Sequence, residues 1–159
     1  MLDENHKNPI HHKDEQTLHL TINDKVYIWH YQYITGAEVR ILGSIPKEDE
    51  IFLAIKRPWE DESIMEDTKI DLARPGIEHL FTKKHGEEKL VTIHVNNIER
   101  KISRGKHLVS EIKKVGEVPL SHELEEVIAG KLIPLDDDSA ILIKGFEVFY
   151  SHVRDGSSS

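Results

Sequence analysis

The side chains able to do chemistry here are eleven histidines, a scatter of serines and 29 carboxylates, with no cysteine. Without cysteine there is no disulfide, no thiolate metal site and no thiol nucleophile. No serine sits in a Gly-x-Ser-x-Gly turn, no histidine pair has metal-ligand spacing on a helical stretch, and no glycine-rich loop could cradle phosphate. His11-His12 lies in a polar arm with no further ligand at helical spacing, and His19, His79 and His94 fall in strand-like segments. Glu60-Asp61-Glu62 and Asp136-Asp137-Asp138 lack the spacing of a calcium loop and read as solvated turns. The sequence therefore predicts no catalytic residue, no metal site and no cofactor. What remains is the end of the chain. An apolar run, Phe149-Tyr150-Ser151-His152-Val153, gives way to Arg154-Asp155, then a lone Gly156, then Ser157-Ser158-Ser159. Glycine has no Cβ, so its backbone allows closer approach than that of any other residue.

The elements that carry this tail show in the periodicity. Leu18 to Ile22 alternates apolar and polar as a half-buried strand does. Asn23-Asp24 supplies a turn tolerant of positive φ, and Val26 to Trp29 returns. Thr35 is a candidate N-cap for a helix ending at Gly43, with Pro46 blocking its continuation. Ile51 to Ile55 is a third strand, and Ile77 to Phe81 closes the unit after a turn at Pro75-Gly76. The pattern then recurs: a strand from Leu90 to Val95, a turn at Asn96-Asn97, and a strand from Ile98 to Ile102. Ser103 is a second candidate N-cap, for a helix reaching Val115 with Leu108, Ile112 and Val115 on one face; Gly116 ends it. Strands follow at Glu123 to Ile128, Ile141 to Ile143 and Phe146 to Tyr150, and either Phe149 or Tyr150 is apolar enough to be the buried one. Leu42-Gly43-Ser44-Ile45-Pro46 matches Val115-Gly116-Glu117-Val118-Pro119 at an offset of 73, as Asn23 matches Asn96, while Gly76-Ile77-Glu78 matches Gly145-Phe146-Glu147 at 69. Such order predicts a duplicated domain, each copy with its own core. The expected division is a polar arm over 1–16, domains over 17–83 and 90–153, a linker over 84–89, and a flexible tail over 154–159. Gly86 reads as part of that linker.

Length and composition agree with this plan: 159 residues, 38% hydrophobic, 31% charged, net charge -8. Residues 1–86 hold 16 acidic and 11 basic residues, residues 87–159 hold 13 and 10, and neither part carries a basic stripe. Nucleic acid is thus not an expected partner. No apolar run approaches a membrane span, and Met1 to His6 has neither the basic nor the apolar region of a secretory signal, so the expected location is the cytoplasm and no membrane is involved. Trp29 and Trp59 are expected to be packing residues, with Trp59 the more exposed.

Each repeat resembles the bacterial multiubiquitin domains over about residues 17–156. The resemblance rests on Thr21-Ile22-Asn23, Ile34-Thr35-Gly36, the Gly-x-Ile-Pro step at Gly43, and the closing Gly76-Ile77-Glu78-His79-Leu80-Phe81, which becomes Gly145-Phe146-Glu147-Val148-Phe149-Tyr150 in the second copy. The tandem layout is similar to the ubiquitin-like modifiers of bacterial antiphage conjugation operons. The resemblance implies an α+β fold of two tandem β-grasp domains, each a mixed twisted sheet over one helix. It also implies a modifier precursor rather than an enzyme. A JAMM-type zinc peptidase would remove Ser157 to Ser159, freeing the carboxylate of Gly156. An E1-like enzyme, docking on Arg154 and Asp155, would activate it, and an E2-like enzyme would join it to target proteins. Ubiquitin ends in Arg-Gly-Gly, and here Asp155 replaces the first glycine. The alternative is a ubiquitin-like binding module that works through its sheet face without conjugation.

Overall fold

The computed structural model describes residues 16–154, which divide into two compact units, 16–55 with 61–87 and 56–60 with 88–154. In the first, β1 (Leu18–Ile22), β2 (Lys25–Trp29), β4 (Asp49–Leu53), β5 (Glu62–Ile64) and β7 (Glu78–Lys84) form a sheet in the order β2-β1-β7-β4-β5. β1 and β7 are parallel and the other pairs antiparallel. A helix, α1 (Gly36–Leu42), directly follows β3 (Tyr33–Thr35), which forms a short ribbon with β6 (Lys69–Asp71). The second unit repeats every element: β8 (Leu90–Val95), β9 (Ile98–Ser103), β10 (Gly105–Leu108), α2 (Val109–Val115), β11 (His122–Ile128), β12 (Lys131–Leu135), β13 (Ala140–Ile143) and β14 (Val148–Val153). Its main sheet is ordered β12-β11-β14-β8-β9, and β10 pairs β13. These are two β-grasp domains in tandem. Among the described residues no helix is long and apolar enough to cross a membrane.

The cores coincide position by position. Leu20, Ile22, Val39, Ile45, Ile51 and Ile70 are buried in the first unit; Ile93, Val95, Ile112, Val118, Leu124 and Ile143, each 73 residues on, are buried in the second. The offset falls to 69 before the closing strands, where Leu80 corresponds to Phe149. Burying one such side chain stabilises by about 1.5–3 kcal/mol. Phe149 is fully buried, while Tyr150 points to the other face and donates its hydroxyl hydrogen to Asn97 Oδ1 at 2.9 Å. That settles which side of the last strand faces the helix.

The hairpin turns form as expected, with φ of 50° and 70° at Asn23-Asp24 and 52° and 67° at Asn96-Asn97. The glycines after the helices do not work as expected. Gly43 and Gly116 have φ of -91° and -83°, and the left-handed residues are the next ones, Ser44 at 51° and Glu117 at 58°. What these two positions require is room. A Cβ on Gly116 would lie 2.6 Å from Val95 Cγ1, and one on Gly43 would lie 3.0 Å from Ile22 Cδ1. The first strand of each unit ends over its helix terminus, and glycine allows that approach.

The second helix is shorter than expected. Ser103 does not cap it: residues 105–108 pair with β13 as a strand, and Ser103 Oγ lies 3.1 Å from His107 Nε2. The cap position belongs to Leu108, and the buried apolar residues of the helix are Val109 and Ile112 rather than Leu108. The strands expected at Ile51–Ile55, Ile77–Phe81 and Phe146–Tyr150 are displaced to β4, β7 and β14; β5, which begins at Glu62 in the expected acidic turn, β12 and the pairing within each ribbon are further differences from the sequence pattern.

The two caps differ in one atom. In α1 the Thr35 hydroxyl accepts from Glu38 N at 3.2 Å and Thr35 N donates to Glu38 Oε1 at 2.9 Å. In α2 Leu108 N donates to Glu111 Oε1 at 2.8 Å, but leucine has no oxygen to return the bond. Thr35→Ala is expected to destabilise the first unit by about 1 kcal/mol. Leu108→Thr should stabilise the second by up to about 1 kcal/mol, both read from urea unfolding.

Candidate functional site

β14 is the middle strand of its sheet, and the chain leaves the second unit at its end. On one side it pairs in parallel with β8, Val148 opposite His94 and Phe149 opposite Val95. On the other it pairs antiparallel with β11, from Glu126 opposite Phe149 to His122 opposite Val153. A side chain reinforces the short parallel seam. Asn96 Oδ1 accepts from Ser151 N at 2.9 Å, its Nδ2 donates to Ser151 Oγ at 2.8 Å, and its own N–H donates to Phe149 O at 2.9 Å. The first unit makes the same clasp, with Thr82 N donating to Asn23 Oδ1 at 3.0 Å and Asn23 Nδ2 to Thr82 Oγ1 at 2.9 Å. The turn asparagines were read from the sequence as backbone formers. Their side chains also hold the last strand in register.

On the open face of β14, His152 Nε2 lies 3.1 Å from Glu123 Oε1 and 3.4 Å from Glu125 Oε1, while Nδ1 lies 2.9 Å from Val153 O. A carbonyl and a carboxylate can only accept, so this geometry favours the imidazolium form of the ring, with a hydrogen on each nitrogen. These residues bring three ligand-type atoms within 4.8 Å and are the group among the described residues that could hold a metal ion. The protonated ring accounts for their geometry without one. The His152 pKa lies above the ordinary histidine value: the Val153 carbonyl raises it most, desolvation opposes this as the next largest effect, and the charges of Glu125 and then Glu123 raise it further.

Beyond Val153 the backbone reaches Arg154. Its Nε donates to Ser121 O at 3.0 Å and its Nη2 to Asp137 Oδ2 at 3.0 Å. Asp137 also pairs through Oδ1 with Lys113 Nζ at 2.5 Å. The turn Asp136-Asp137-Asp138, expected to be solvated throughout, therefore contributes one carboxylate to an internal ion pair. Lys113 itself is fully buried on α2. It occupies the place that Arg40 has in α1, where Arg40 Nη1 donates to Pro46 O at 2.6 Å and Asp49 O at 3.1 Å. The 73-residue spacing of Arg40 and Lys113 was the available signal for that role. Asp155, Gly156 and Ser157 lie outside the described residues. The structure thus places Arg154 at the root of the tail and brings Asn96, Lys113, Asp137 and His152 around the strand that leads there. Trp59 is exposed, and Trp29 packs at the edge of the first core with Nε1 donating to Tyr33 O at 3.0 Å.

The multiubiquitin family model matches residues 18–85, from β1 through the turn after β7, which supports a multiubiquitin-like family for that part of the chain. No curated protein matches.

Because the folded His152 pKa lies above its unfolded value of about 6.5, its stabilising contribution is present below that pH and is lost as pH rises through the folded value. In an NMR titration His152 is expected to have a midpoint above about 6.5. Glu125→Gln should lower it, and the end of β14 should exchange amide hydrogens faster once the ring is neutral.

Proposed function

We propose that this chain is the precursor of a ubiquitin-like protein modifier. The observation that carries the reading is the multiubiquitin match over 18–85 together with a second unit of the same topology, whose last strand leads within three residues to Gly156. A JAMM-type zinc peptidase hydrolyses the Gly156–Ser157 amide and removes the serines. The freed carboxylate is a poor acyl donor. An E1-like enzyme joins it to AMP from ATP, releasing pyrophosphate, and then passes the acyl group to an enzyme nucleophile, dividing one hard step into easier ones. An E2-like enzyme delivers it to an amine of a target protein, forming an amide or isopeptide bond. The chain is the substrate of this sequence, with no catalytic residue of its own. The setting we propose is the cytoplasm and antiphage defence, as for the tandem ubiquitin-like modifiers of bacterial antiphage conjugation operons.

One observation favours a second reading, a non-covalent binding module. On the open face of the first sheet Phe52 and Phe81 stack at 5.4 Å with 15° between their planes, and Val26 and Ile28 are exposed on the same face across β1. An apolar patch there suits a partner protein and needs no tail.

Gly156 discriminates the two. Co-expression with the processing peptidase should shorten the intact mass by three serines. Gly156→Val should slow trimming and adenylation while leaving the fold unchanged, and a chain ending at Gly156 should be conjugated without the peptidase. If protein ending in Ser159 is adenylated as well as protein ending in Gly156, the modifier reading fails.

A further inference from the structure

The root of the tail is tied to the interior of the second unit through three charged groups in series. Lys113 is fully buried; its ammonium donates to Leu120 O at 3.2 Å and to His122 O, and forms an ion pair with Asp137 Oδ1 at 2.5 Å. The two carbonyls orient the ammonium, and its charge faces one carboxylate. The turn that presents Asp137 is itself held. Ser139 N and Oγ donate to Asp136 O at 3.0 and 2.7 Å, and Val109 N, at the start of α2, donates to Ser139 O at 3.0 Å. Asp137 turns its second oxygen to Arg154, whose Nε reaches Ser121 O in the loop before β11. A planar guanidinium suits two such acceptors at once, where an ammonium would serve as a point charge.

We infer that Lys113, Asp137 and Arg154 form a latch that holds the first residue of the tail against the domain, and that release of Arg154 from Asp137 is the step that presents Gly156 to its enzymes. This rests on the reading of Gly156 as the processed residue. The physical reason is reach. Two residues of extended chain span at most about 7 Å, and a protease cleft or a narrow activating channel takes an extended strand, so a pinned Arg154 limits how much chain is available to enter it. Releasing Arg154 lengthens the free segment and exposes a cation. The partner best suited to open the latch is an enzyme surface that offers its own carboxylate to Arg154 in place of Asp137. Asp137 and Lys113 are positioning residues; neither touches the reacting carbonyl.

The latch can be tested without any cognate enzyme, because trypsin cleaves after Arg154 only when that side chain is free to enter its specificity pocket. The measurement is the rate of cleavage at Arg154–Asp155 in the intact protein, followed by mass spectrometry and divided by the rate for a free peptide of the same tail sequence. Asp137→Asn removes the charge that holds Arg154 and should raise this ratio about fivefold, the scale of a half-exposed ion pair. Arg154→Lys leaves the Asp137–Lys113 pair intact, so folding is not at risk, and should also raise it. Asp138→Asn removes the same charge from an exposed neighbour and should leave it unchanged. A wild-type ratio near one, or equal acceleration by Asp138→Asn, overturns the latch. Trimming at Gly156 by the JAMM-type peptidase should accelerate in the same two variants. Accelerated tryptic cleavage with no trimming of any variant means that the reading of Gly156 has failed rather than the latch.

Discussion

The parallel seam between the first and last strands of each unit is the constraint on which the rest depends. Parallel neighbours cannot be joined by a tight turn, so the chain between them must cross over the sheet. The chain between them carries the helix, three further strands of the main sheet and the small ribbon. In the second unit the seam is short, two residues of each strand in register. Its strength comes from elsewhere: Phe149 buried under α2, β11 on the far side, and the Asn96 side chain bridging to Ser151. The glycine at the end of each helix belongs to the same construction, since it lets the last residue of the first strand lie against the helix terminus.

The two units share a core and diverge on the open face of the sheet. Glu50 in the first unit meets Lys83 at 3.2 Å, and the corresponding Glu123 meets His152. Where the first unit stacks Phe52 on Phe81, the second has Glu125 and Tyr150. One face has thus kept an apolar centre with permanently charged neighbours. The other has become polar and includes a histidine whose charge depends on pH. A duplicated fold with unlike faces is suited to unlike partners.

Much of the fold was legible because it is written in periodicity. The alternation of Leu18 to Ile22 and of Leu90 to Val95, the Asn turns and the repeated Gly-x-β-branched-Pro steps specify a hairpin, a helix and its end. What was not legible depends on contacts distant in sequence. Residues 105–108 look helical because Leu108 falls in register with Ile112, yet pairing with β13 takes them into a strand. β12 carries Pro134 and mostly exposed residues, so its pattern shows no buried side. The site was half legible. The tail drew attention by composition alone, but nothing local marks Asp137 among three consecutive aspartates, or Lys113 as the buried member of Lys113-Lys114. Their pairing is made by tertiary placement.

The seam also bears on how the chain folds. Val95 and Phe149 are 54 residues apart, so the pairing that completes the second unit carries a large loop-closure cost and is expected late. Meanwhile β7 and β8 are separated by five residues and a glycine at φ 84°, close enough to form a hairpin with each other before either finds its proper neighbour. The native arrangement wins because Leu80 and Ile93 each have a core waiting, closed by a different helix. A tandem repeat joined by so short a connection must therefore reject its nearest neighbour in sequence twice, once for each sheet.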